Sequence, residues 1–299
     1  SHLLWTLLAL LVQRNRRRVH PATEMRDKSQ EPCCLPLKEE FQRSKFSLHH
    51  DDPGDFCRSQ WQKGDRNIIW LLYRWILAAF FAAGVIGSMV ETFNGGRWFI
   101  YLTDWGFSLC FYCCTYGAII ATIYFIKPSY FAPGSWALKI YWISHYTTVV
   151  LAMMITLVFW AALYPSMPGM GAELYNLWAH AFNSICLVFD CFMVAFPTRI
   201  MHFVYPFTAG ITYGVFSLIY FWAGGMDPMG NRFIYFILDW ERPGLAIGTV
   251  CGCVVLVSCF CVLVFGFYRL RISIYESCSK KPDEIPATTA SPKEPAQTV

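Results

Sequence analysis

Between Lys139 and Glu173 the sequence contains no Asp, Glu, Lys or Arg, and this limits the fold more than any motif does. An apolar run of ~20 residues matches ~30 Å of bilayer hydrocarbon at ~1.5 Å per helical residue. No water is present there to satisfy the backbone, so each N–H and C=O must pair within its own segment, which dictates helix. Other runs share this character. Asn67–Val90 is broken only by Arg74, Phe99–Ile126 is free of charge after Asp104, and Leu174–Pro197 is broken only by Asp190. Phe203–Ala223 and Leu245–Tyr268 carry no charge at all. With Lys139–Tyr164 as the third, these runs predict an all-α polytopic membrane bundle of six transmembrane helices. Composition agrees: charged residues make up 15% of the chain, against about 25% in soluble domains.

Lys and Arg near the span ends set the expected orientation. Arg58, Lys63 and Arg66 precede the first span, Lys127 and Lys139 lie between the second and third, and Arg199 lies between the fourth and fifth. Arg269, Arg271, Lys280 and Lys281 follow the sixth, while the opposite side has Arg97, Arg232 and Arg242. Ten against three places both termini in the cytosol. The expected organisation is a cytosolic N-terminal segment over 1–66, the bundle over 67–268 and a disordered cytosolic tail over 269–299. A net charge of +4 is too small to indicate nucleic acid. The chain opens at Ser1 rather than Met and is read as starting inside a longer product. Near that start, Leu3–Val12 is too short to span, and its arginines follow the run, the reverse of a signal peptide. It reads as either an interfacial segment or a gene-model error.

Of the thirteen cysteines, nine fall inside spans, where Cys behaves as a small hydrophobe. Cys33, Cys34, Cys57 and Cys278 fall in the cytosolic segments, where disulfides do not persist. Acylation of Cys57 or Cys278 is the alternative to plain thiols. Gly244, Gly248 and Gly252, like Gly210 and Gly214, recur at four-residue intervals. Such ridges read as internal packing of the bundle, with a dimer seam as the alternative. No cofactor or metal is expected.

Ionisable groups within the hydrocarbon cost several kcal/mol by common estimates, so they face the interior and pair. Depth sorts them into two layers. Arg74, His145 and Asp190 lie near the cytosolic ends of spans one, three and four, which predicts Asp190 pairing with His145 or Arg74. The alternative for Arg74 is to snorkel to the headgroups. The second layer lies near the outer face, where Asn94-Gly95-Gly96-Arg97-Trp98 leads to Tyr101-Leu102-Thr103-Asp104-Trp105. His180, Asn183, Leu187 and Asp190 share one helix face. Thr103 and His180 are therefore at matching depths, and two readings follow. One is a packing hydrogen bond. The other makes Thr103 a nucleophile and His180 its base, with Asp104 or Asn183 orienting the imidazole. Asp239-Trp240-Glu241-Arg242 is placed to cap this layer, and Phe233–Leu238 reads as re-entrant.

Several of these residues resemble a known family. Leu48-His49-His50-Asp51-Asp52-Pro53 with Arg58-Ser59-Gln60-Trp61, Tyr101-Leu102-Thr103-Asp104-Trp105-Gly106, and His180-Ala181-Phe182-Asn183-Ser184 with Asp190 are similar to motifs of rolling stone proteins. The likeness covers about residues 40–275. It implies a multi-pass plasma-membrane protein linked to cell–cell fusion, in particular of insect myoblasts. A remoter likeness is to the androgen-induced intramembrane threonine hydrolases of fatty-acid esters. Gly95-Gly96-Arg97-Trp98 and Leu102-Thr103 approach the nucleophile element of that family, with one extra residue between. Its two histidines fall on His180 and Asn183, and the second, catalytic one is thus an Asn here, which is no base. On this reading His180 would act instead, displaced by about one helical turn. The expected partners are the bilayer, a lipid ligand or another membrane protein.

Overall fold

The computed structural model describes residues 40–166 and 174–279, so Leu3–Val12, Cys33 and Cys34 lie outside the described residues. Within the unit that begins at Arg43, the architecture is helical, and among the described residues no strand is present. Asn67 starts the first helix, α1 (Ile68–Thr92), by accepting from the N–H groups of Ile69 and Trp70 at 2.9 and 3.2 Å. It thereby satisfies donors that the first turn leaves unpaired. The chain reverses at Asn94, Gly95 and Gly96, whose φ values of 37, 63 and 89° lie in the left-handed region that glycine adopts without strain. Helix α2 (Leu102–Ile126) follows, then α3 (Trp136–Val158), which continues through Phe159–Leu163 as a π turn. Helix α4 (Trp178–Met193) is led in by Leu174–Leu177; α5 is Val204–Trp222 and α6 is Pro243–Ser279.

Five of these helices are long and apolar enough to cross a membrane. The fourth expected span is shorter, an apolar helix over Trp178–Met193. With the preceding turn, continuous helical backbone from 174 to 193 extends roughly 30 Å, the hydrocarbon thickness. The helical character extends beyond the expected tail boundary at the other end. Helix α6 runs to Ser279, so residues 269–279 are ordered helix rather than disordered tail; 280–299 lie outside the described residues. Phe233–Leu238 forms no re-entrant helix and carries only a 3-10 turn at Phe236–Leu238.

Helix α3 is the hub. It packs against α2, α4, α5 and α6 and is buried over 61% of its most apolar stretch, against 17% for α5 and 22% for α6. Close approach occurs at glycines other than those in the four-residue ridges. A Cβ on Gly84 would collide with Phe107 and Trp178, one on Gly106 with Ile155, and one on Gly117 with Arg74 Nη2 and Tyr141. At Gly210, Gly214, Gly244, Gly248 and Gly252 a Cβ would meet nothing within 4 Å. The expected internal packing on those ridges is therefore absent. Four-residue spacing defines a stripe on a helix but does not say which neighbour the stripe faces.

The residues before α1 serve as a cap for α4. A helix C-terminus leaves its last carbonyls without intrahelical donors. Trp61 Nε1 donates to Phe192 O at 2.7 Å, and Ser59 Oγ and Gln60 N both donate to Met193 O at 2.9 Å. Arg271, 1% exposed, completes the cap: Nη1 donates to Cys191 O at 2.9 Å and Nη2 to Phe196 O at 2.8 Å. Its positive charge also suits the negative end of the α4 dipole. Phe56 stacks on Phe196 at 5.2 Å, and the neighbouring Cys57 is 2% exposed. Burial pushes the Cys57 thiol up, outweighing the opposing pull of Arg58, so it stays protonated, and an unreactive buried thiol is a poor acylation site. In detergent-solubilised native protein, iodoacetamide is expected to alkylate exposed Cys278 well before Cys57. Equal labelling in a mass-spectrometric time course would contradict this arrangement.

Candidate functional site

The structure brings Arg74, His145 and Asp190 together. Arg74 sits on α1, two turns in from the Asn67 cap, its head lodged in the space that Gly117 of α2 leaves open. Arg74 Nη1 donates to both carboxylate oxygens of Asp190 at 2.7 and 2.9 Å. His145 Nε2 lies 3.0 Å from Oδ2, where a protonated Nε2 donates. Two tyrosines complete the network. Tyr73 Oη donates to Asp190 Oδ1 at 2.9 Å, and Arg74 Nη2 donates to Tyr141 Oη at 2.6 Å. Arg74 is 1% exposed and Asp190 0%. The guanidinium is thus sealed inside rather than snorkelling. Opposite charges at this depth, joined by short charge-assisted bonds, tie α1, α3 and α4 into one body.

Tyr73 and Tyr141 carry no charge, so the sequence reading passed over them. A signal existed nonetheless: Tyr141 precedes His145 by four residues and shares its helix face.

The opposite layer is arranged differently from the nucleophile–base reading. Asp104 is buried on α2 against Ser88 of α1, whose hydroxyl lies 3.4 Å from Oδ1 and accepts from Trp98 Nε1 at 2.7 Å. Asn183 accepts from Thr156 Oγ1 at 3.1 Å and donates to Ala179 O at 2.8 Å. His180 lies in a π turn, Trp178–Phe182, which faces the π turn of α3. Its ring is stacked on Phe159, centroids 3.5 Å apart and planes within 2°. The His180 carbonyl accepts from Trp160 Nε1 at 2.9 Å, and its Nδ1 has no partner among the described residues. No hydrogen bond joins Thr103 to His180 among the described residues. The Thr103 N–H instead donates to Tyr235 Oη at 3.4 Å.

Thr103 lies on the wall of an apolar cavity of about 330 Å³ between α3, α5 and α6, toward the lower end of the ~300–1,000 Å³ range of ligand sites. Phe159 also lines the cavity while its ring covers His180, and His180 does not line it. Thr103 thus lines the cavity, whereas His180 is stacked on Phe159 outside its lining. Among the described residues no group of three or more His, Cys, Asp or Glu is placed to hold a metal ion.

Apolar helices tied together by a buried ion network, with a lateral cavity and short connections, define an integral multi-pass membrane protein. The family model described as "Protein rolling stone" matches residues 29–281. Protein rolling stone of Drosophila melanogaster is 36% identical over 249 residues, covering 80% of this chain and 90% of that protein. The chain belongs to the rolling stone family. No solved structure matches it.

Proposed function

We propose that this protein works at the plasma membrane in cell–cell fusion, as myoblast fusion in the family resemblance implies, and that it does so without catalysis. Family membership supports the fusion reading. The observation that carries the non-catalytic part is the Phe159 ring between the Thr103 cavity and His180. In this reading both termini are cytosolic, as the distribution of Lys and Arg implies. The connection between α5 and α6 then faces outward. It folds back on the bundle, with Trp240 Nε1 donating to Ser217 Oγ at 3.2 Å and Tyr235 packed against Tyr101 and Tyr213. A connection folded back in this way suits lateral partners in the same membrane, or the lipid itself, better than a reach toward another cell.

Removing the protein from fusion-competent cells is expected to lower the fraction of nuclei in multinucleate cells, and re-expression to restore it. An unchanged fraction would overturn the fusion reading. A fluorophosphonate probe is expected to leave the folded protein unlabelled. Labelling that disappears in Thr103→Ala would replace the non-catalytic reading with a lipid ester hydrolase.

A further inference from the structure

The cavity between α3, α5 and α6 reaches from the lipid-facing surface into the core. Its deep wall is Met154, Phe159 and Val257, each 4 or 5% exposed. Its rim includes Ile211, Val215 and Val254, which are 63, 51 and 43% exposed. The rim residues stand on α5 and α6, the two least buried of the long helices, so the surroundings they face are bilayer hydrocarbon. The polar groups on the wall offer little to water. Tyr213 Oη donates to Ile100 O at 2.9 Å, and Thr249 Oγ1 donates to Ile237 O. Thr103 N–H and Tyr235 Oη are turned toward each other. Water in a buried site needs polar partners, and an apolar void instead takes up apolar ligands. Gly210 and Gly214 line the cavity, and a Cβ at either would meet nothing within 4 Å.

We propose that this cavity is a binding site for one acyl chain of a bilayer phospholipid, which enters sideways between α5 and α6. The chain fills the void beside Phe159 while its headgroup stays at the membrane surface. The site rests on the spans crossing a bilayer and on the cavity, not on the fusion reading, and it requires no chemistry at Thr103.

The test uses the full chain reconstituted in phosphatidylcholine nanodiscs in which one lipid species carries a diazirine along its acyl chain. After irradiation, crosslinked residues are mapped by mass spectrometry. Crosslinks to Met154, Phe159 or Val257 are expected, because lipids that merely surround the bundle reach only its exposed rim. Gly210→Leu with Gly214→Leu should fill the open space and reduce the deep crosslinks several-fold, while those at Ile211 and Val215 persist. The thermal unfolding of that variant should match the parent protein, since a Cβ at either position meets nothing within 4 Å and the longer side chains extend into open space. Crosslinks confined to the rim would overturn the proposal. So would deep crosslinks that survive both leucines.

Discussion

Asp190→Asn is expected to destabilise the protein by roughly 3–5 kcal/mol, the usual consequence of removing one partner from a buried ion pair. The substitution preserves shape and removes charge, so it isolates the electrostatic contribution. What it leaves behind is Arg74, 1% exposed, facing Tyr141, the Trp70 ring and a neutral amide with no counter-charge from position 190. The guanidinium cannot deprotonate and must either remain uncompensated or pull α1 toward the headgroups. Thermal unfolding in detergent micelles should show a large downward shift, accompanied by loss of protein from the membrane fraction. Replacing both partners, Arg74→Met with Asp190→Leu, should recover much of the loss, because two matched apolar groups carry no desolvation penalty. A shift for Asp190→Asn no larger than ~0.5 kcal/mol, the range of ordinary surface substitutions, would show that the network does not hold the helices together.

The second large effect is expected at Gly117. A Cβ there collides with Arg74 Nη2 and with the ring and hydroxyl of Tyr141, the two groups that share a 2.6 Å bond. Alanine should destabilise by about 1–3 kcal/mol through overpacking, partly offset by its helix propensity advantage of ~1 kcal/mol over glycine. Leucine at the same position should prevent folding. Gly248→Ala, whose new methyl meets nothing within 4 Å, should be neutral or stabilising. Coupling provides the sharper check. The cost of Gly117→Ala should fall in an Arg74→Met background, since the atom it strikes is gone, and a double-mutant cycle reads that difference directly. Equal costs in both backgrounds would mean that Gly117 serves backbone packing rather than the guanidinium.

The spans were legible because charge and apolarity along the chain report depth directly. The Arg74–Asp190–His145 network was legible for a related reason: ionisable groups in hydrocarbon must find each other, and these three lie at one level. Rotation about the helix axis is less well recorded. Thr103 and His180 were placed at one depth, yet His180 is turned onto Phe159 and Thr103 onto the cavity. The π turns contribute to this, because each shifts the face presented by the residues around it. Arg271 misled for a different reason. As one of several cations after the last apolar run, it looks like a flanking charge, while the carbonyls it binds lie at the end of α4 and just beyond it, 75 to 80 residues earlier. The glycine ridges misled because one-dimensional spacing does not reveal which partner helix, if any, faces them.

The buried network also has a consequence for biosynthesis. Arg74 enters the membrane with the first helix, while Asp190 follows 116 residues later. Until then the newly made α1 carries an unmatched cation, which hydrocarbon disfavours. Its long stem allows the head to wait at the interface. The first helix can therefore enter the bilayer early in a shallow or tilted pose, and it reaches its final depth only after the fourth has been threaded. Snorkelling is thus the nascent chain's condition and ion pairing the finished protein's, with the arrival of Asp190 marking the change from one to the other.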